Sequence, residues 1–191
     1  MKRFVLVLTT LALLTGCAQS NTVAGSPTDH MSKISGDGEL ANGEDTMFAQ
    51  MMIPHHSQAV EISGYAETNT TNPDLLALAA KISAEQQPEI DLMSGWLHEW
   101  GIHDMPVDHM GTGEDGMLSD SAIADLKMAT GADFDRKFLT GMMAHHQGAI
   151  AMAQDVLDGG KNPDVHTLAT NIIASQTAEI AQMQEMLTKL N

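Results

Sequence analysis

Two short segments of the chain carry side chains suited to binding a soft metal. Each reads Met-x-x-His-His, and each is followed about 30 residues later by Gln-x-x-Glu. Imidazole together with thioether favours copper, since Cu(I) accepts Met and either oxidation state accepts His. The candidate metal ligands are His55, His145, Met52, Met142, Glu89, Glu179, Gln86, Gln176, His56 and His146.

The two segments belong to a longer internal repeat with a period of 90 residues. Asn72-Pro73-Asp74 returns as Asn162-Pro163-Asp164, and the register holds without a gap from Asp45 to Met93. Chance similarity would not keep one register through two motifs and a turn. We therefore interpret the body of the chain as a duplicated unit.

Each unit reads as a helical hairpin, because its apolar residues recur at steps of three and four. Asn72 is a suitable N-cap for the second helix, and Pro73 fits its first turn. Pro54 and Pro88 fall inside predicted helices and should kink them. The sequence predicts an all-α, ferritin-like, antiparallel four-helix bundle with hairpins at 45–100 and 133–191. The connector, 101–132, contains its own short helix at Asp120–Met128.

Folding each hairpin about its turn places polar groups where a core is expected. His55 then lies opposite Gln86, and Met52 lies opposite Glu89. The second unit gives the equivalent pairs, His145 with Gln176 and Met142 with Glu179. Burying such groups unpaired is costly, so either a metal or a hydrogen-bonded His–Glu–Gln network must compensate. His56 and His146 lie about 100° away on the helix. They could complete the site, bind a partner helix or be solvated, and each taken alone is favoured as a surface residue.

Di-iron bundles use Glu-x-x-His motifs with further Glu, whereas this chain has few carboxylates and many thioethers at the corresponding positions. Copper is therefore favoured, and iron or zinc fits less well. A secondary metal site is predicted in the acidic connector, where the alternative is a solvated linker of accidental composition. Its candidate ligands are His103, Met105, His109 and Met110.

The N-terminus has the pattern of an export segment. Met1-Lys2-Arg3 is basic, Phe4 to Leu14 is apolar but short for a bilayer, and Leu14-Thr15-Gly16-Cys17 resembles the bacterial lipobox. We expect a lipoprotein signal peptide over 1–16, lipid on Cys17 and a flexible tether over 17–44. This predicts a lipid-anchored protein on the extracytoplasmic face of the cell membrane. The alternative is an ordinary signal peptide, or a short anchor, with a chance Cys.

The amino-acid composition excludes several kinds of binding partner and site. The formal net charge of −16 argues against nucleic acid. A single Cys excludes both a disulfide scaffold and a Cys-based zinc site. Aromatic residues make up only 4% of the chain, whereas Met numbers 15 and His 9. The Met residues are either adaptable core filler or soft metal ligands.

The repeated Met-x-x-His-His and Gln-x-x-Glu-Ile-x-x-Met segments resemble the bacterial family called "domain of unknown function 305". The resemblance covers about residues 45–190, including Phe134-Asp135 ahead of the second motif. It implies a secreted or lipid-anchored four-helix protein, and some members are linked to periplasmic copper binding and copper tolerance. The first copy has Pro54 and Ser57 where the second has Ala144 and Gln147, so the two half-sites need not be equivalent.

Three classes of function follow from these features. The first is a lipid-anchored copper-binding protein for storage, scavenging or tolerance. The second is a ferritin-like redox enzyme, and the third is a metal-free structural or interaction module. An enzyme needs an open coordination position and a substrate pocket, and the sequence shows neither. It also contains no Ser-His-Asp or Cys-His set, so the non-enzymatic classes are favoured.

Overall fold

The computed structural model describes residues 41–103 and 116–190, and every regular element in these ranges is a helix. The all-α prediction is therefore confirmed. Cys17, residues 17–40 of the predicted tether and three of the predicted connector ligands, Met105, His109 and Met110, lie outside the described ranges. The tether was predicted to extend to residue 44, but α1 already begins at Gly43. The helices are α1 (Gly43–Gly64), α2 (Ala66–Asn69), α3 (Pro73–Glu99), α4 (Asp120–Met128), α5 (Gly131–Gly159) and α6 (Pro163–Lys189).

Asparagine side-chain caps set where α3 and α6 begin. The Asn72 side chain accepts hydrogen bonds from the backbone N–H groups of Asp74 and Leu75, and Pro73 opens α3. Asn162 and Pro163 do the same for α6. These caps satisfy donors that the first turn of a helix leaves without partners, as the sequence predicted.

The two interior prolines do not end their helices. α1 runs through Pro54 and α3 runs through Pro88. A proline inside a helix costs about 3 kcal/mol, chiefly through a lost N–H donor and a clash with the preceding turn. Each helix has buried residues on both sides of its proline, so packing along its whole length offsets that cost.

The four long helices form the bundle as two hairpins, α1 with α3 and α5 with α6, and α1 packs against α5. The C-terminal half of α1 shares an apolar cluster with the N-terminal half of α5, so these two helices run antiparallel. The other halves share a second apolar cluster. The predicted polar middle therefore lies between two apolar regions. The first includes Ile62, Leu75 and Phe138, and the second includes Phe48, Met93 and Val156.

The connector returns to the bundle close to the middle of α5. Gln58 on α1 donates to the carbonyl of Leu118 at 3.0 Å and accepts from its N–H at 2.8 Å. Gly116 has a φ of +78°, and a Cβ there would lie 2.3 Å from the carbonyl oxygen of Ala144. Only glycine fits this approach. In the second unit the position of Gln58 is taken by Gly148, which leaves room for the returning backbone.

Two buried aspartates connect the repeats. Asp45 accepts hydrogen bonds from the backbone N–H groups of Asn42, Lys161 and Asn162, so it holds the start of α1 against the α5–α6 turn. Its repeat, Asp135, is buried near the start of α5 and accepts from the Asn72 side chain in the first hairpin's turn. Each unit thus supplies a carboxylate to the turn of the other.

Replacing Asp45 with Ala should lower the free energy of unfolding of the metal-free protein by about 2 to 3 kcal/mol, because several partly buried N–H donors would lose their shared acceptor. Urea unfolding followed by circular dichroism measures this. Asp133→Ala is the matched control, since Asp133 is exposed and pairs only with Lys137 one turn away. An equal loss in both variants would contradict the bridging role of Asp45.

Candidate metal centre

The two Met-x-x-His-His motifs meet at the centre of the bundle. His55 on α1 and His145 on α5 are fully buried, and their rings lie 3.6 Å apart at an interplanar angle of 34°. The packing of α1 on α5 brings them together, because each histidine lies near the middle of its helix. The two predicted half-sites therefore form one cluster.

The second histidine of each motif is also fully buried, so the expectation of a surface position for His56 and His146 is wrong. His56 Nε2 lies 2.7 Å from Glu89 Oε2, and His146 Nε2 lies 2.7 Å from Glu179 Oε2. Each glutamate comes from the other helix of the same hairpin. His56 and His146 can be buried at the flank of the apolar stripe because a glutamate gives each imidazole a polar partner inside the bundle.

The remaining candidate ligands are also inside. Met52 and Met142 are fully buried one helical turn before His55 and His145, and each belongs to a different one of the two apolar clusters. Gln86 and Gln176 are buried on the facing helices, α3 and α6. The sequence predicted that each glutamate lies opposite a methionine. In the structure Glu89 is instead hydrogen-bonded to His56, and Glu179 to His146.

Several buried polar atoms of this cluster have no hydrogen-bond partner among the residues that the structure describes. Both polar atoms of the Gln86 side chain, Gln176 Oε1, and Nδ1 of His56 and of His146 are in this position. Buried polar groups in folded proteins are almost always paired with protein, water or an ion. The centre of the bundle therefore offers several donor atoms that the protein itself does not satisfy.

The surroundings of His145 favour its neutral form. Burial lowers the pKa of His145 well below its ordinary value of 6.5, and the neighbouring His55, His146 and His56 lower it further. An interaction with the His55 backbone opposes the shift without reversing it. Four histidines this close cannot all carry charge, because each charge disfavours the next. Neutral imidazole is the form that binds metal.

The two glutamates differ in their surroundings. Glu179 is 2% exposed and accepts a hydrogen bond from the Lys81 ammonium at 2.8 Å, whereas Glu89 is 21% exposed. Burial raises the pKa of Glu179, but the hydrogen bonds from His146 and Lys81 outweigh it, so the net direction is downward. Sequence reasoning missed Lys81. A comparison of the repeats could have found it, because the position of Lys81 holds Asn171 in the second unit.

The cluster is arranged as pairs. Over residues 41–103 and 116–190, no three His, Cys, Asp or Glu side chains are grouped so that they could hold a metal ion. Nε2 of His56 and of His146 is turned to a carboxylate, so these two donors become available to a metal only when their glutamates move. Of the predicted connector site, only His103 is described. It is exposed, and its ring lies 6.1 Å from that of His98.

The protein is a duplicated all-helical bundle with a buried cluster of His and Met side chains. The model of the family described as "Domain of unknown function (DUF305)" matches residues 45–187. The chain therefore belongs to the DUF305 family, as the sequence motifs indicated. None of the described helices is long and apolar enough to cross a membrane.

Solved structures share this fold. A DUF305 protein of Streptomyces coelicolor described as secreted is 30% identical, with a TM-score of 0.71 over 77% of this chain and 93% of its own. CopM in its Cu(II)-bound form is 33% identical, with a TM-score of 0.68 over 77% of this chain and 97% of its own. CopM has also been solved with Cu(I) and with Ag.

A curated relative matches a shorter stretch. The uncharacterized protein L153 of Acanthamoeba polyphaga mimivirus is 42% identical over 53 residues, which is 28% of this chain. The match spans 35% of the viral protein, about a third of its length.

The lowered pKa of His145 predicts how stability depends on pH. The unfolded chain takes up a proton near pH 6.5, but the folded chain resists it, so the free energy of unfolding is highest above 6.5 and falls as the pH drops below it. The contribution of Glu179 is lost only below about 4.5, since its pKa is lowered from that value. Urea unfolding of chelator-treated protein between pH 7 and 5 measures the effect of the histidine.

His145→Leu should flatten this dependence, because a buried leucine does not titrate. His98→Gln is the matched control, since His98 is exposed on α3, and it should keep the slope of the unmodified protein. A steep slope that survives in His145→Leu would show that other groups cause it.

Proposed function

We propose that this protein binds copper, as Cu(I) and Cu(II), at the centre of the bundle, and serves in storage, scavenging or tolerance of the metal. The proposed ligands come from the His, Met, Glu and Gln of the two repeats. The observation that carries the proposal is the fully buried pair His55 and His145, whose ring centroids lie 3.6 Å apart, flanked by two further buried histidines and by Met52 and Met142.

The donor set fits copper better than the alternatives. Imidazole nitrogens and thioether sulfurs are the ligands that Cu(I) accepts together, and imidazole also suits Cu(II). The buried environment holds His145 neutral, which removes proton competition at neutral pH. Oε1 of Gln86 and Oε1 of Gln176, which have no hydrogen-bond partner among the described residues, add neutral oxygen ligands. That CopM, a protein of the same fold, has been solved with Cu(I), Cu(II) and Ag supports the choice of metal.

Metal binding at Nε2 of His56 or His146 requires a local rearrangement rather than a change of fold. His56 and His146 hydrogen-bond to Glu89 and Glu179, so each histidine–glutamate pair must open before its Nε2 can bind a metal. The movement involves a glutamate side chain on the other helix of the same hairpin, and the helices themselves can stay in place. Once released, the carboxylate is itself an available oxygen ligand.

A metal-free structural or interaction module is the second candidate. The two histidine–glutamate hydrogen bonds at 2.7 Å favour it, since they compensate part of the cost of burying the polar layer. The two candidates differ in the metal content of protein purified without a His tag. Copper bound in stoichiometric amount supports the first, and none bound after copper exposure supports the second. A metal-dependent redox enzyme would additionally consume oxygen on Cu or Fe loading.

Competition with a chelator locates the tight copper site. His55→Ala with His145→Ala should weaken Cu(II) binding at pH 7 by about 100-fold and flatten its pH dependence, because two imidazole ligands for which protons compete with the metal are removed. His103→Ala with His109→Ala is the matched pair from the connector and should change the tight site little. If the connector pair abolishes tight binding and the core pair keeps it, the metal site is in the connector.

Substitution of the two methionines separates the oxidation states. Met52→Leu with Met142→Leu nearly conserves volume, so the fold should persist. Cu(I) affinity should fall much more than Cu(II) affinity, because only Cu(I) favours thioether ligands. Equal losses for both ions, or none, would mean that the methionines only fill the core.

We also propose that the protein is held at the extracytoplasmic face of the membrane by lipid on Cys17. The lipobox-like Leu14-Thr15-Gly16-Cys17 supports this, together with the description of the Streptomyces coelicolor relative as a secreted protein. Cys17→Ser should release the protein from the membrane fraction of its native cells, as measured by fractionation and immunoblotting. A Cys17→Ser protein that remains in that fraction would argue for an uncleaved anchor.

A further inference from the structure

The internal repeat is broken at a charged position next to the histidine cluster. Lys81 on α3 lies with its Nζ 2.8 Å from Glu179 Oε1 and 3.3 Å from Glu85 Oε2. The corresponding position on α6 is Asn171, which carries no charge. In the described part of the chain, Glu89 pairs with His56 and with no lysine. The two chemically identical His–Glu pairs therefore have different electrostatic surroundings.

We propose that Lys81 makes the two halves of the cluster unequal, so that a soft metal cation binds first at the His56–Glu89 half and more weakly at the His146–Glu179 half. This inference rests on the proposed metal binding and adds an order of occupation and a residue that sets it. Lys81 acts as a positioning residue, since it reaches the proposed site only through Glu179.

The charge of Lys81 opposes a cation at Glu179. Its ammonium already donates to one oxygen of that carboxylate, and His146 lies at the other. A metal that used this carboxylate would have to displace the ammonium or bind beside a like charge, and either costs free energy. Glu89 presents no such competitor, so the attraction of its carboxylate for a cation is not reduced by a lysine.

Burial acts in the same direction. Glu179 is 2% exposed, so turning it away from both of its partners would leave a carboxylate in the interior without compensation. Glu89 is 21% exposed and can turn toward water when its hydrogen bond to His56 opens. The same exposure gives an ion from solvent a route to the His56–Glu89 half. Charge and burial therefore favour the same half.

The repeat supplies its own pair of variants. Lys81→Asn removes the lysine beside the His146–Glu179 half and puts there the residue type found at the equivalent position of the other repeat. Asn171→Lys makes the opposite change and gives the His56–Glu89 half a lysine. Asn171 is exposed, so Asn171→Lys buries nothing new and should fold whether or not Lys81→Asn does. Lys137→Asn is the control for net charge, because Lys137 is exposed and pairs with Asp133 away from the cluster.

The probes are Ag(I), a diamagnetic substitute for Cu(I), and Cu(II), each titrated into the metal-free full chain. Imidazole resonances of His56 and His146 in NMR spectra report which half takes Ag(I), and calorimetry gives the two affinities for each ion. In the unmodified protein the His56 resonances should shift first. Lys81→Asn should strengthen the second step by about tenfold and bring the two steps together, and Asn171→Lys should weaken the first by about tenfold.

The outcomes separate this inference from the proposed function. No binding of Ag(I) or Cu(II) to the unmodified protein would overturn the proposed function. Binding in which His146 shifts first or both histidines shift together would overturn only the inequality of the halves. The same holds if Asn171→Lys leaves the ratio of the two affinities unchanged, or if Lys137→Asn changes it as much as Lys81→Asn does.

Discussion

The structure depends on a layer of polar side chains buried between two apolar clusters. A bundle of this size would be simpler with an apolar middle, because each buried imidazole and carboxylate must be compensated within the protein. The compensation is partial. Hydrogen bonds join His56 to Glu89 and His146 to Glu179, while the buried amide of Gln86 has no partner in the described part of the chain. Because some polar atoms of this buried layer have no hydrogen-bond partner among the described residues, we propose a bound ligand here.

Duplication gives the layer its approximate symmetry and the interlocked turns give it rigidity. The reciprocal contacts of Asp45 and Asp135 hold the start of each long helix against the turn of the other hairpin. Because the motifs lie well inside helices that are fixed at their ends, the closely packed rings of His55 and His145 are held by the scaffold rather than by a loop. Donor atoms that are already in place reduce the entropy lost when a metal binds.

The same scaffold permits the two halves to diverge. Lys81 and Asn171 occupy equivalent positions, and so do Gln58 and Gly148, yet each pair makes different contacts. Gln58 and Gly148 together accommodate the returning connector, which has no counterpart elsewhere in the repeat. Lys81 changes the charge next to one glutamate only. Divergence at such positions changes the electrostatics of a site without altering the helices that carry it, because the side chains concerned lie at the edge of the core.

The sequence by itself determined the helices, the duplication and the identity of the candidate ligands. Helical periodicity, the caps at Asn72 and Asn162 and the fixed register of the repeat are local properties, so they can be read along one chain. Only the tertiary structure decided which residues meet. The contact between His55 and His145 depends on how α1 packs against α5, and the burial of His56 depends on a glutamate from the neighbouring helix. Lys81 reaches Glu179 across 98 residues of sequence, and no local pattern encodes such a contact.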